Sequence, residues 1–391
     1  MMRMHEKFYI IATHELVYGA PQALSDYLSQ IGGIDFLYIA HSLGSDSQKS
    51  YVKRNTTQFY LDETLRFKFG FLIFKYFGEI ILNLKWVFKF SKSDLPIIFI
   101  GVNPLNAFSG LILRLAGKVD FVIYYTIDFT PIRFRNRVLN ILYHSLDRIC
   151  ASRADETWNV SPRIDIGRVK KSPNLTFRPN SHFVVPIGIW KIASKIQLKR
   201  KTGLELIFLG TILEKQGVQK VLEAFKLINK KYEKLHLTIV GDGEYLETIK
   251  EYATKLGIVK STTFTGLITD PLEVRDYLIR ADIGFATYDP SMISFTEYAD
   301  PTKHKDYLSA GVPVIMTNVT HNCSEIENAG CGLIVDYDTE DISKALATYL
   351  EDLKYLRLSQ TLALKYAAQF KWSKIFQHNL SRIDEKMNTE E

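Results

Sequence analysis

Short apolar runs separated by helix-like stretches recur along almost the whole chain. Phe8–Thr13 is the first run, and a loop, His14–Ala20, follows it and contains Gly19. Pro21 suits the first turn of a helix through about Gln30, where its fixed φ fits and its missing N–H would have no partner. Ile34–Ala40, Ile97–Gly101, Phe121–Thr126 and Glu156–Val160 are further buried-strand candidates. Helices fall between them, notably Asn136–Ser152. A basic stretch from Trp190 to Gly203 breaks the pattern, and a second alternation begins. It has strands at Leu204–Leu209, Leu235–Val240, Thr262–Thr265, Ile283–Thr287, Val312–Thr317 and Gly332–Val335. Its helices are Val218–Tyr232, Tyr245–Leu256 and Leu272–Ala281, and Trp372 to about Met387 forms an amphipathic tail. Strands alternating with helices predict doubly wound parallel sheets.

At 391 residues the chain is too long for one ordinary core and suits two domains. The first spans residues 1–190, a linker covers 191–203, and the second spans 204–373. The terminal helix, 374–391, is expected to pack back on the first domain. No repeat of solenoid period and no low-complexity segment interrupts this plan.

Hydrophobic residues at 46% and charged residues at 24% fit a soluble globular protein. Three cysteines, Cys150, Cys323 and Cys331, form no CxxC pair and read as reduced thiols. Phe8–Ala12 is too short for the core of a signal peptide. The uncharged stretch Leu95–Leu113 is broken by Pro96, Gly101, Asn103, Pro104 and Asn106, so it reads as strand, loop and helix start. The expectation is a cytoplasmic protein with no transmembrane helix.

The formal charge of +6 is unevenly placed. Residues 66–92 hold six Lys/Arg against Glu79 alone, and residues 163–201 hold ten against Asp165 alone. Such blocks point to anionic partners. Within Arg66–Phe90, Ile73, Phe77, Ile80, Leu84 and Val87 recur at helical spacing and predict the face that packs on the sheet. The opposite face mixes Lys68, Lys75, Lys85 and Lys89 with Phe71, Leu72, Trp86 and Phe90. Cations among large aromatics suit the headgroup boundary of an anionic membrane, so residues 66–92 are expected to hold the protein at the inner face of one. Arg133, Arg135 and Arg137 serve the same surface or an acceptor phosphate. No nucleic-acid-binding module carries the basic blocks, and no nucleic-acid partner is expected.

Three strand-to-helix turns carry the candidate chemistry. Gly210-Thr211-Ile212-Leu213-Glu214-Lys215-Gln216-Gly217 exposes backbone amides at a helix start, where phosphate is favoured. Val240-Gly241-Asp242-Gly243-Glu244 has glycines that let a ligand or a neighbouring backbone approach closely. Tyr298 to Ile315 is the strongest. Pro301 pre-sets a helix first turn, so the amides of Thr302 and Lys303 point outward, and the Lys303 cation completes a diphosphate site. Asp306 follows Lys303 by one turn on nearly the same face, where a carboxylate accepts from sugar or ribose hydroxyls. Gly311 ends that helix.

Together these turns resemble the retaining GT-B glycosyltransferases of the family four, or group 1, type, over residues 204–376. The first domain resembles them more loosely, through the Gly19 loop and Val160-Ser161. The resemblance implies two Rossmann-like α/β domains facing a cleft, the first binding an acceptor and the second a nucleotide diphosphate sugar. It implies a metal-free hexosyl transfer with no cofactor beyond the donor substrate, onto a glycan or lipid-linked acceptor. Lys303, Lys215 and loop amides then stabilise the leaving diphosphate. Gly19, Gly210, Thr211, Gln216, Gly241, Gly243, Tyr298, Asp300, Pro301, Thr302 and Lys303 are the donor-binding set it implies.

The chain departs from the family pattern in three places. The usual acid pair, eight residues apart, falls at Tyr298 and Asp306, with Glu297 and Asp300 flanking the first. Thr211 stands where an arginine is usual, and Gln216 in the basic slot beside Lys215. The histidine often found in the first domain is Ile127, next to Asp128. Asp128 ends the strand Phe121–Thr126, where α/β sheets place ligands, and can orient or deprotonate the acceptor. An N-cap role for it stays open, as do an inactive nucleotide-sugar-binding module and a GT-B epimerase for the whole chain. Asp336-Tyr337-Asp338 matches a metal motif of a different glycosyltransferase fold, but it precedes a helix and reads as a cap.

Overall fold

The computed structural model describes residues 4–14, 17–41, 50–55, 57–60, 72–91, 94–193, 203–232, 234–292 and 295–389. The chain divides into two units, Met1–Ile187 with Trp372–Glu391, and Gly188–Lys371.

The first unit begins β1 (Phe8–Thr13), α1 (Ala20–Ile31), β2 (Asp35–Ala40), β3 (Tyr51–Arg54) and β4 (Thr57–Tyr60). It continues with α2 (Leu72–Phe90), β5 (Ile97–Val102), α3 (Asn103–Leu115), β6 (Phe121–Thr126) and α4 (Arg137–Arg153). β7 (Glu156–Asn159), α5 (Arg163–Lys171) and β8 (His182–Val184) complete its sheet, whose order is β4-β3-β2-β1-β5-β6-β7-β8. From β2 to β8 every pairing is parallel, while β3 and β4 form an antiparallel edge. Every residue of β1, β5 and β6 is buried, as expected of strands covered on both faces.

The second unit runs β9 (Leu204–Leu209), α6 (Val218–Asn229), β10 (Leu235–Val240), α7 (Leu246–Leu256) and β11 (Thr262–Gly266). Then come α8 (Pro271–Arg280), β12 (Ile283–Ala286), α9 (Thr302–Ser309), β13 (Val314–Thr317) and α10 (Cys323–Asn328). β14 (Gly332–Val335), α11 (Thr339–Glu351) and α12 (Leu353–Ala367) close it. Its sheet is wholly parallel, in the order β11-β10-β9-β12-β13-β14. The strand expected from Val312 starts at Val314, because Gly311 is left-handed at φ 78 and Pro313 has no N–H for the ladder. α13 (Trp372–Thr389) belongs to the first unit. There Phe376 packs on Tyr27 of α1, Lys7 pairs with Asp384, and Arg382 pairs with Glu156 at 2.7 Å.

Ile80, Leu84 and Val87 of the expected packing face of α2 pack on the core, but the helix is turned so that the buried face is wider than expected and Phe77 leaves it. Glu79, Ile80, Leu82, Asn83, Trp86 and Val87 are buried, whereas Phe77, Ile81 and Phe88 are exposed. Trp86, expected on the outer face, stacks on His41 with centroids 5.1 Å apart, and Phe90 is partly buried against the core. Phe77, expected to pack inward, faces solvent. The reason is polar: Asn83 accepts from or donates to His41, Asn106 and Ser109 at 2.7–3.1 Å, so a side chain that hydropathy places outside is satisfied inside. Lys85 and Lys89 remain exposed. Lys68 and Phe71 lie outside the described residues, and the side chains of Leu72, Ile73 and Lys75 are likewise not described. Among the described residues no helix is long and apolar enough to cross a membrane.

Candidate functional site

In the second sheet, strand order reverses between β9 and β12, since β10 and β11 lie to one side of β9 and β13 and β14 beyond β12. The crevice outside the carboxyl ends of two such strands is where doubly wound sheets hold ligands. β9 ends at Leu209-Gly210, and β12 runs out to Tyr288. At φ 138, Gly210 occupies backbone that suits glycine, and a Cβ there would lie 3.0 Å from Cε of Lys303.

Of the two close approaches that Gly241 and Gly243 permit, a ligand's or a neighbouring backbone's, the structure shows the backbone's. A Cβ on Gly241 would sit 1.9 Å from the Gly210 carbonyl oxygen, and one on Gly243 would sit 2.3 Å from that of Ile212. Gly210 N donates to Val240 O at 3.0 Å and Ile212 N to Asp242 O at 2.9 Å. The two glycine turns are therefore laced to each other, and the second supports the first from behind without lining the crevice.

α9 lies over the reversal. Pro301 precedes its first turn in extended backbone, leaving the amides of Thr302 and Lys303 at the open end. Tyr307 fixes the helix in place. Its hydroxyl accepts from Leu209 N at 2.7 Å and donates to Phe285 O at 3.0 Å, so one phenol bridges the ends of β9 and β12. Sequence spacing gives no sign of this role, because a tyrosine at a helical position reads as ordinary core.

These elements enclose a crevice of about 220 Å³. Gly210, Thr211, Gln216, Pro301, Thr302, Lys303 and Asp306 all line it, together with Tyr288, Phe295 and Thr296. Nζ of Lys303 donates to Oε1 of Gln216 at 2.8 Å and stands 4.4 Å and 4.8 Å from the ring centres of Phe208 and Tyr288. Burial lowers its pKa to about 7, because the charged form has lost water. One turn further along α9, burial raises the Asp306 carboxyl to about 7, opposed by the charges of Lys305 and Arg275. Lys215 stands beside the crevice, its Nζ 5.1 Å above the ring of Phe295.

The flanking acids part company. Asp300 is buried and paired with Lys305, with His321 Nε2 a further 3.5 Å away, so its carboxylate is spent inside the loop. Tyr298 is buried and does not line the crevice, and Glu297 is exposed. Asp338 accepts from the amides of Glu340 and Asp341 at 2.8 and 3.2 Å, which caps α11. Among the described residues no group of three His, Cys, Asp or Glu could hold a metal ion.

Two candidates belong to the first unit. Gly19 caps α1, and its amide donates to Gln22 Oε1 at 3.0 Å. Asp128 is half-buried beyond β6 and pairs with Arg133.

Residues 191–361 match the family model described as glycosyl transferases group 1. Over 126 residues the chain is 33% identical to alpha-monoglucosyldiacylglycerol synthase of Streptococcus pneumoniae, covering 30% of this chain and 26% of that enzyme. Over 166 residues it is 26% identical to the GDP-mannose-dependent alpha-(1-6)-phosphatidylinositol monomannoside mannosyltransferase of Mycobacterium tuberculosis. That match covers 41% of this chain and 43% of the relative, so the chain spans less than half the length of either curated relative. Whole-chain likeness is found among solved structures. Sucrose-phosphate synthase from Thermosynechococcus elongatus superposes with a TM-score of 0.72 at 13% identity, covering 98% of this chain and all of that one. Anabaena HepE in complex with UDP gives 0.67 at 12% identity over 97% and 99% of the two chains. The fold is GT-B, two units each built on a largely parallel α/β sheet.

Proposed function

We propose that this protein is a retaining glycosyltransferase. It moves a hexosyl group from a nucleotide diphosphate sugar to a glycan or lipid-linked acceptor at an anionic membrane surface. The observation that carries the reading is Lys303, a buried ammonium at the first turn of α9, opening into the crevice at the reversal of the second sheet. A buried cation with a lowered pKa is destabilised until an anion reaches it, and a diphosphate supplies that charge. The first-turn amides and the helix dipole add to the same end.

On this reading Lys303, the amides of Thr302 and Lys303, and Lys215 stabilise charge on the diphosphate as it leaves, the place where a preorganised site lowers a barrier most. No metal is then needed for that task. Asp306 accepts from hydroxyls of the donor. Asp128, with Arg133, orients the acceptor. The names of the two curated relatives, a diacylglycerol-based synthase and a phosphatidylinositol-mannoside transferase, support a lipid-linked acceptor, and HepE's UDP supports a nucleotide donor.

A thermal-shift panel of nucleotide sugars tests the donor, since saturating ligand raises apparent stability by mass action. The hit is then incubated with acceptor extracts, and the anomeric configuration of the product is read by NMR. Binding without transfer or donor hydrolysis would leave an inactive nucleotide-sugar-binding module, a reading that the tyrosine at position 298 favours. Inversion at the anomeric carbon would refute the retaining mechanism.

A further inference from the structure

The first unit has a cavity of its own, about 400 Å³, that the donor chemistry leaves unused. It starts where the first sheet reverses its order, between β1 and β5, again the place where such sheets hold ligands. His14, just past β1, and Asn103, the first residue of α3, stand there with Nε2 and Nδ2 3.3 Å apart. Asn103 is left-handed at φ 66, a conformation open to asparagine. Behind them runs a buried polar chain. Asn106 Nδ2 is 3.4 Å from His14 Nδ1, Asn83 donates to Asn106 at 2.9 Å, and His41 lies 2.7 Å from Asn83. Glu79 Oε2 is buried without a hydrogen-bond partner, 3.9 Å from His14 Nδ1.

The rest of the cavity is apolar, walled by Phe77 of α2, Phe108 of α3 and Leu139, Leu142 and Leu146 of α4. Phe77 and Leu142 are also 60% and 46% exposed, so the apolar end reaches the surface. Exposed Ile81 on α2 and Val138 and Ile141 on α4 continue the apolar character there. Arg133 lines the cavity too, held by Asp128, and Arg135 and Arg137 follow it in the chain.

We propose that this cavity takes the apolar chain of an amphiphilic acceptor, whose anionic, hydroxyl-bearing head lies among His14, Asn103 and Arg133. This deepens the transferase reading and rests on it. A free sugar would have to bury hydroxyls against leucines, where they would find no partners. The volume fits a small molecule or a single chain, and a partner helix, ~10 Å across, is too wide. The arginine selects an anionic head over a neutral one.

Calorimetry with alkyl phosphates of increasing length, below their micellar concentrations, tests this. Affinity should rise about fourfold per added methylene until the cavity is full. Leu142→Trp fills the mouth at an exposed position that folding tolerates, and should abolish the chain-length dependence, while Leu142→Met keeps it. Arg133→Gln should weaken every member of the series alike and leave the slope unchanged. A flat series in the unaltered protein overturns the proposal, as does a slope that survives Leu142→Trp with an unchanged melting curve. Nucleotide-sugar turnover measured in parallel separates the two readings. A rising series without turnover keeps the cavity and sinks the transferase, and turnover with a flat series does the reverse.

Discussion

Nζ of Lys303 donates to Oε1 of Gln216 at 2.8 Å, joining the first turn of α9 to the loop after β9. The family's basic slot before Gly217 holds this amide, and the cation reaches it from the helix. If that ammonium is the diphosphate anchor, Lys303→Ala should weaken nucleoside diphosphate binding about ten- to a hundredfold, the weight of a charge-assisted hydrogen bond. Gln216→Ala should cost less, because it removes a neutral acceptor. Calorimetry of both variants checks the order, and equal affinity in a folded Lys303→Ala protein would remove the phosphate role.

The two titrating groups of the crevice give diphosphate binding a pH dependence of one sign. Lys303 is charged below about 7 and loses its proton above. Asp306 is neutral below about 7 and gains a repelling charge above. Both changes disfavour an anion as pH rises, so affinity should fall between about pH 6 and 8, and binding near pH 7 should take up protons. Calorimetry in buffers of different ionisation enthalpy measures the uptake. Proton release on binding would contradict this.

β1, β6, β9, β10 and β14 begin and end where the sequence places them. β1 and β6, buried throughout, are written as nearly continuous apolar segments, while β9 and β10 carry Glu205, His236 and Thr238 between apolar positions and are marked by their flanking turns. The Lys303 turn was legible because Pro301, a short helix and Gly311 punctuate it locally. The orientation of α2 was legible in part: Ile80, Leu84 and Val87 pack as their spacing predicts, but the buried face also takes in Glu79 and Asn83, and the hydrogen-bond partners of Asn83 come from distant elements. The hairpin of β3 and β4 was not, since its strands are four residues each and carry Lys53, Arg54 and Gln58 among the aromatic and β-branched positions. Asp300 read as a crevice acid from its position, and the pairing with Lys305 that withdraws it exists in three dimensions alone.

That pairing predicts that Asp300 acts on stability. Removing one partner of a buried ion pair strands the other charge, at a cost of about 3–5 kcal/mol. Asp300→Asn and Lys305→Met should each lower the urea midpoint markedly. The double variant should recover much of the loss, since no charge is left unpaired. Full stability of Asp300→Asn, with impaired turnover, would return this carboxylate to the chemistry.

Asp306→Asn keeps the shape of the side chain and removes its charge. With the identified donor, turnover should fall at least about tenfold while the diphosphate, whose anchor is Lys303, binds as well or better. Near-native turnover would pass the acid role to exposed Glu297. Transfer should also persist in a chelator, and rescue of a chelated enzyme by manganese would overturn the metal-free mechanism.

The last prediction concerns the outer face of α2. Phe77, Ile81, Lys85, Phe88 and Lys89 are its exposed residues of note, three large apolar groups beside two cations. Such a face lies at a headgroup boundary by combining apolar insertion with attraction to anionic lipid, and each basic residue contributes about 1 kcal/mol within a Debye length. The protein should therefore co-sediment with anionic vesicles, less with neutral ones, and be partly released by salt. Replacing Phe77, Ile81 and Phe88 with Ser should reduce binding to both kinds of vesicle. Replacing Lys68, Lys75, Lys85 and Lys89 with Gln should remove the preference for the anionic kind. Nucleotide affinity should survive both sets, because its crevice lies in the other unit. Trp86, buried against His41, belongs to neither set, and its replacement should act through stability. Vesicle binding that survives both sets unchanged, or that is missing from the start, would make this face ordinary surface and point to a soluble acceptor.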